Sequence, residues 1–207
     1  KRQGLLAALL LGGGAAAAEQ RATVVDARMR EAQLRQAIAI AEALHPELLA
    51  QLSFTPADRG TPAFERLCEQ LTVYARVIDA RGIYTMLLRE GALVFGPESY
   101  ADDDPMASPP GTVYEEPGPE DFDVFATGRP LVVGPATDEY GTFVSALAPV
   151  YDRRSGEVQM IVGIDVLADV WQADVNAARR VPWLMACLLL ALASALVWGS
   201  YWRDHRR

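Results

Sequence analysis

GIYTMLLREGALVFGP (82–97), RPLVVGPATDEYGTFVSALAPVYD (129–152) and SGEVQMIVGIDV (155–166) decide the fold. The first is two apolar runs joined at Arg89-Glu90-Gly91. The second is two more, turning at Thr137-Asp138-Glu139-Tyr140-Gly141, and a turn at Asp152-Arg153-Arg154-Ser155-Gly156 leads into the third. Short β-rich runs separated by Gly-containing turns are the signature of hairpins. Five strands of one antiparallel sheet are therefore predicted, with helix before them and a membrane segment after them.

Working back towards the N-terminus, PAFERLCEQLTVYARVIDA (62–80) places Phe64, Leu67, Leu71, Tyr74 and Ile78 on one face of a helix. Thr61 suits its N-cap and Pro62 its first turn. Residues 19–52 are rich in Ala, Arg, Glu, Gln and Leu, all strong helix formers, with His45-Pro46 as a kink or restart. Their broad apolar stripe suits packing on the sheet and on a second copy of the chain, so a homodimer is expected. GLLAALLLGGGAAAA (4–18) comes after Lys1-Arg2 and reads either as an uncleaved membrane helix or as a signal peptide. Helix-forming sequence continues straight through it, which favours the uncleaved helix, although its 15 residues span only about 22 Å. Both readings export the chain beyond residue 18.

Working forward, residues 167–181 read as a helix running into WLMACLLLALASALVWGSYW (183–202). These 20 uncharged residues span about 30 Å as a helix, with Trp183 at one end and Trp198, Tyr201 and Trp202 at the other. Arg203, Arg206 and Arg207 place the far side in the cytoplasm. The expected layout is a membrane helix or signal anchor at 4–18, a sensor domain at 19–170, a linker helix at 171–181, a transmembrane helix at 182–202 and the start of a cytoplasmic segment at 203–207. Residues 20–180 would then be extracytoplasmic.

Composition removes several functions. Between residues 20 and 180 there are 14 Arg against 25 Asp and Glu, a net charge of −11, which repels nucleic acid. The two cysteines, Cys68 and Cys187, make no disulfide framework. Two distant histidines, His45 and His205, give metal chemistry and nucleophilic catalysis nothing to build on. No metal, cofactor or catalytic residue is expected. The Asp102-Asp103-Asp104 run lacks the spacing of a calcium loop and reads as a solvated acidic loop.

Helix, helix, hairpin, long insert, hairpin, strand and a helix into a membrane resembles the Cache family of extracytoplasmic, PAS-like bacterial sensor domains. The residues that carry the resemblance are GIYTMLLREGALVFGPE (82–98) and DEYGTFVSALAPVYDRRSGEVQMIVGIDV (138–166). It implies an α+β fold: a PAS-like five-stranded antiparallel sheet packed on long N-terminal helices, flanked by membrane helices. It also implies small-molecule sensing and transmembrane signalling, with a two-component histidine kinase as the parent receptor, a bacterial inner membrane as its location and residues 20–180 in the periplasm. Diguanylate cyclases and chemoreceptors carry such heads too. In amino-acid-sensing relatives an Asp ending the last strand and an aromatic or acidic residue before the fourth contact the ligand amine. The matching positions are Asp165, Tyr140 and Asp138. The family's full amino-acid motif includes Trp, and no Trp occurs between Gln20 and Val170.

Strand alternation adds further candidates. One face of the sheet must pack on the helices. The other carries Tyr84 and Met86, Phe143 and Ser145, and Asp165, with the insert at 98–128 above it as a lid containing Tyr100, Tyr114, Phe122 and Phe125. Apolar walls with a few polar groups suit a small polar ligand. The candidate binding residues are thus Tyr84, Met86, Tyr114, Asp138, Tyr140, Ser145 and Asp165, for an organic acid, amino acid or amine. Asp165 equally suits a cap for the following helix, and Tyr84 and Met86 equally suit core packing. A ligand-free dimerisation or partner-binding module is the alternative function.

Overall fold

The computed structural model describes residues 2–206, so the terminal charges of Lys1 and Arg207 lie outside the described residues. Two compact units are present, one of residues 30–171 and one combining the chain's two ends.

In the larger unit five strands form one antiparallel sheet: β1 (Gly82–Arg89), β2 (Ala92–Glu98), β3 (Leu131–Asp138), β4 (Gly141–Tyr151) and β5 (Val158–Leu167). Their order is β2-β1-β5-β4-β3. The final strand therefore lies between the two hairpins, paired to β1 on one side and β4 on the other. The turns fall where the sequence places them. Glu90 and Gly91, at φ 51° and 84°, make the tight β1–β2 turn.

Helix α1 (Arg2–Ala43) is followed by the single-turn α2 (Pro46–Leu49), so the chain does break at His45-Pro46. Helix α3 (Pro62–Ile78) is capped by Thr61, whose hydroxyl accepts the Phe64 N–H, and it ends at Asp79 in the left-handed conformation. Its Phe64, Leu67 and Leu71 are buried, and Tyr74 and Ile78 pack beside the core. One face of the sheet presents Ile83, Val94, Ala146, Ala148, Met160, Val162 and Ile164 to Ala37, Ile40 and Leu44 of α1 and to α3.

A polar pin crosses this apolar layer. Gln33 of α1, 3% exposed, donates from Nε2 to the carbonyls of Val144 (2.9 Å) and Ile164 (3.0 Å), tying the helix to β4 and β5 together. Gln33→Ala leaves both carbonyls short of a donor and opens a gap. We expect a loss of ~1–3 kcal/mol, read as a lower urea midpoint at unchanged slope.

The insert is more ordered than its composition suggests. Helix α4 (Pro119–Thr127) occupies its second half, where no regular structure is expected from the sequence. Pro119 sits in the first turn, Asp121 accepts the Gly118 N–H at 2.8 Å, and Gly128 closes the helix at φ 66°. The earlier half runs beside β2 through backbone bonds between Phe95 and Thr112, Gly111 and Phe95, and Tyr114 and Leu93. It thereby covers a sheet edge that would otherwise be open.

In the other unit, α5 (Ala168–Asp204) is one helix through Pro182, merging the expected linker and span. Among the described residues one helix is long and apolar enough to cross a membrane, over Ala168–Arg203 with a mean hydropathy of 2.1. Its Leu184, Leu188, Leu192 and Leu196 are all exposed. α1 remains helical through 4–18. A Cβ on Gly14 would fall 2.5 Å from the Ala186 Cβ, so these two helices meet at small residues. Glu19 and Arg179 pair at 2.9 Å in the same unit.

Candidate ligand-binding cavity

The sheet face away from α1 and α3 carries a cavity whose floor is set by strand register. Glu98 of β2, Tyr84 of β1 and Gly163 of β5 lie side by side, and next to them Gly82, Asp165 and Ser145 form a second row. Both glycines are steric requirements. A Cβ on Gly163 would lie 2.2 Å from the Tyr84 ring, and one on Gly82 would lie 2.0 Å from the Tyr100 ring. The insert supplies the roof: Tyr100, Met106, Ser108 and Tyr114. Asp138 and Tyr140, at the β3–β4 turn, close one side. Phe95 is the aromatic hub, 5.9 Å from the Tyr84 ring, 5.5 Å from Tyr114 and 5.7 Å from Tyr140. The free volume is about 20 Å³, room for about one water.

Of the seven residues named from sequence, Tyr84, Tyr114, Asp138, Tyr140 and Asp165 line this cavity. Ser145 does not line it, but its Oγ donates to Asp165 Oδ1 at 2.7 Å and it faces an adjoining cleft that shares Tyr84, Tyr114 and Asp138. Met86 is fully buried among Leu93, Phe95, Leu147 and Ile161 and is absent from the lining. Asp165 does not cap α5; its carboxylate points to Ser145 from within β5. Phe95, Glu98, Met106 and Ser108 are lining residues that the sequence reading does not single out, and Tyr100 enters it only as an aromatic of the lid.

The carboxylates differ in what they already hold. Asp138 is saturated: Oδ1 accepts the N–H groups of Tyr140 (2.8 Å) and Gly141 (3.0 Å), and Oδ2 accepts the Tyr114 hydroxyl (2.7 Å). It organises the turn and fixes Tyr114. Asp165 and Glu98, each 7% exposed, are less satisfied. Burial pushes Asp165 up to about 7, against the hydrogen bonds from Ser145 and Tyr84 and with the help of Asp138 and Asp121. Burial pushes Glu98 up to about 8, against the Ser108 N–H donated to its Oε1 at 2.7 Å. Asp121, in the adjoining cleft, is raised to about 6 by burial. Burial also holds the Tyr84, Tyr100 and Tyr114 hydroxyls well above the ordinary tyrosine range.

Among the described residues no Arg, Lys or His lines the cavity. Arg81 grips both oxygens of Asp104, at 2.9 and 3.1 Å, and its guanidinium lies 5.2 Å from the Tyr100 ring centre. The Tyr100 hydroxyl is buried with no hydrogen-bond partner, whereas the Tyr140 hydroxyl bonds Ser108 Oγ at 2.7 Å. Cys68 and Cys187 are both free thiols, and burial raises Cys68 to about 11.

This architecture has counterparts among solved structures. The sensory domain of the Campylobacter jejuni chemoreceptor Tlp3 with isoleucine bound superposes with a TM-score of 0.52 at 13% identity, over 84% of this chain and 65% of that one. The same receptor's ligand-binding domain with 4-methylisoleucine gives 0.51 at 14% identity, over 81% and 62%. The ligand-binding domain of the Pseudomonas aeruginosa amino acid chemoreceptor PctC with GABA gives 0.50 at 18% identity, over 81% and 68%. The chain shares their fold. The α+β architecture expected from the sequence, a five-stranded antiparallel sheet packed on long N-terminal helices, is the one observed, and the chain spans just under two thirds of the Tlp3 domain's length. No protein-family model matches the chain, and no curated protein matches it in sequence.

Proposed function

We propose that this chain is the small-molecule sensing and transmembrane part of a bacterial receptor, with a two-component histidine kinase as parent, and that its ligand carries an ammonium group. The observation that carries this reading is a cavity lined by two buried carboxylates, Asp165 and Glu98, with no basic residue among the described lining. Once ionised the two acids repel an organic anion, whereas a cation compensates the charge that burial disfavours. The neighbours' domains are described with isoleucine and GABA. An amine head is the part of such ligands that these residues can match.

The proposed layout has residues 4–18 as an anchor, 19–170 as the sensor, 171–181 as a linker and 182–202 as the span. The exposed leucine stripe of α5 would then face lipid. Residues 20–180 would lie in the periplasm, and α1 would pair with a second copy. Because the cavity holds about 20 Å³, admitting a ligand requires the insert bearing Tyr100, Met106 and Ser108 to lift. That gives two states whose differential affinity for the ligand can drive a signal. The same small volume favours a second reading, a ligand-free assembly module.

Thermal unfolding of the full chain in detergent, against amines, amino acids and small carboxylates, separates the two. A ligand at 100 times its Kd should add ~2.7 kcal/mol, a shift of several degrees. We expect it with amines and not with carboxylates. A flat response to every compound supports the assembly module instead.

A further inference from the structure

The two acids stand at opposite ends of the cavity. Glu98 is one strand from Tyr84, Tyr84 is one strand from Gly163, and Asp165 lies two residues beyond Gly163. Strand spacing and rise put their Cα atoms about 12 Å apart, with the Tyr84 ring between them. Glu98 accepts the Ser108 N–H on one oxygen, and Asp165 accepts the Ser145 and Tyr84 hydroxyls. The wall between them is aromatic and apolar (Tyr84, Phe95, Tyr100), and the Tyr100 hydroxyl there has no partner. A single ammonium at one acid leaves the other to stay protonated or to ionise in a buried place without a countercharge. A zwitterion holds the second acid in its protonated form and gains no charge pairing there. A shared metal ion does not fit either: among the described residues no three His, Cys, Asp or Glu side chains come close enough to hold one.

We propose that the cavity takes a linear dication, an α,ω-diamine, with one ammonium on Asp165, the other on Glu98, and the methylene chain against Tyr84, Phe95 and Tyr100. This rests on the sensing function above and narrows its ligand class. The Tyr100 hydroxyl accepts a hydrogen bond from one of the ammonium groups, and the aromatic faces favour a cation beside them.

The test is calorimetric titration of the full chain in detergent at pH 8.5. The probes are the diamines from 1,3-diaminopropane to 1,8-diaminooctane, with butylamine and 4-aminobutanoate for comparison. Affinity should peak at one chain length and exceed that of butylamine by about tenfold or more, the scale of one added charge-assisted hydrogen bond. Glu98→Gln should bring the diamine and butylamine together, provided its circular dichroism matches the parent. The unsubstituted chain decides the matter even if that variant misfolds. Butylamine or 4-aminobutanoate binding as tightly as every diamine overturns the dication and leaves the sensor standing. Silence from the whole panel overturns both.

Discussion

At pH 8.5 Glu98→Gln unfolds at a higher temperature than the unsubstituted chain, by on the order of 10 °C, and the difference shrinks steeply towards pH 5. The cause is the desolvation of a carboxylate at the end of β2. Its ordinary value is 4.5 and the fold raises it to about 8. Between those values the folded chain keeps a proton that the unfolded chain has released, so stability falls as pH rises through this window. Above pH 8 the folded state must hold an ionised, 7% exposed acid at a cost of ~5 kcal/mol. Near pH 5 the folded chain is protonated at Glu98 and the unfolded chain is about three-quarters ionised, so the difference is only ~1 kcal/mol. Gln removes the charge, and its side-chain oxygen can still accept the Ser108 N–H. Differential scanning calorimetry at the two pH values checks this. Equal midpoints at pH 8.5 would mean that Glu98 ionises without penalty, and the case for a cation there would fall with it. Asp165, raised from 3.8 to about 7, adds a pH dependence of the same sign over a window about one pH unit lower.

This burial of acid explains how an apparently plain strand end comes to matter, and why the sequence shows so little of it. The sheet was legible because its information is local: alternation, turn residues and apolar runs all lie within a hairpin. Asp165 and Tyr140 were legible through their resemblance to a family pattern, and Tyr114 through an aromatic in an otherwise acidic insert. Glu98 had no such signal. It precedes Ser-Tyr-Ala-Asp-Asp-Asp and reads as the first of a solvated acidic run. What turns it inward is its pairing with Tyr84 next to a register shift in β1–β2, a fact of tertiary pairing. Tyr100 is hidden for a similar reason. Its ring can lie over β1 only because residue 82 is glycine, 18 positions away. Helix α4 is a different kind of omission. Pro119 in the first turn, Asp121 at the third position and Gly128 after the end were all present as signals, but five prolines and dense acid in the segment masked them. Met86 shows the limit of face assignment. It shares the Tyr84 side of β1 yet is sealed among Leu93, Phe95 and Ile161, below the cavity rather than in it.

Inserting Gly-Gly after Ala177 should abolish signalling by the parent receptor while leaving ligand affinity unchanged. Every residue that lines the cavity falls between 84 and 165, and β5 ends at Leu167, so the insertion touches none of them. It falls instead in α5, which runs without interruption from Ala168 to Asp204. Two extra residues turn everything beyond them by about 200° and push it about 3 Å along the axis. Each glycine also weakens the helix by ~1 kcal/mol. A displacement of β5 on binding would reach the membrane segment through this helix, because Asp165 sits two residues before the strand's end. The proposed division of labour is therefore strict: the sheet face recognises, α5 transmits. Output activity and calorimetric affinity measured on the same variant test it. Lost signalling with affinity retained supports the division. Affinity lost together with signalling would mean that recognition depends on the stalk, and the cavity would no longer be a self-sufficient site.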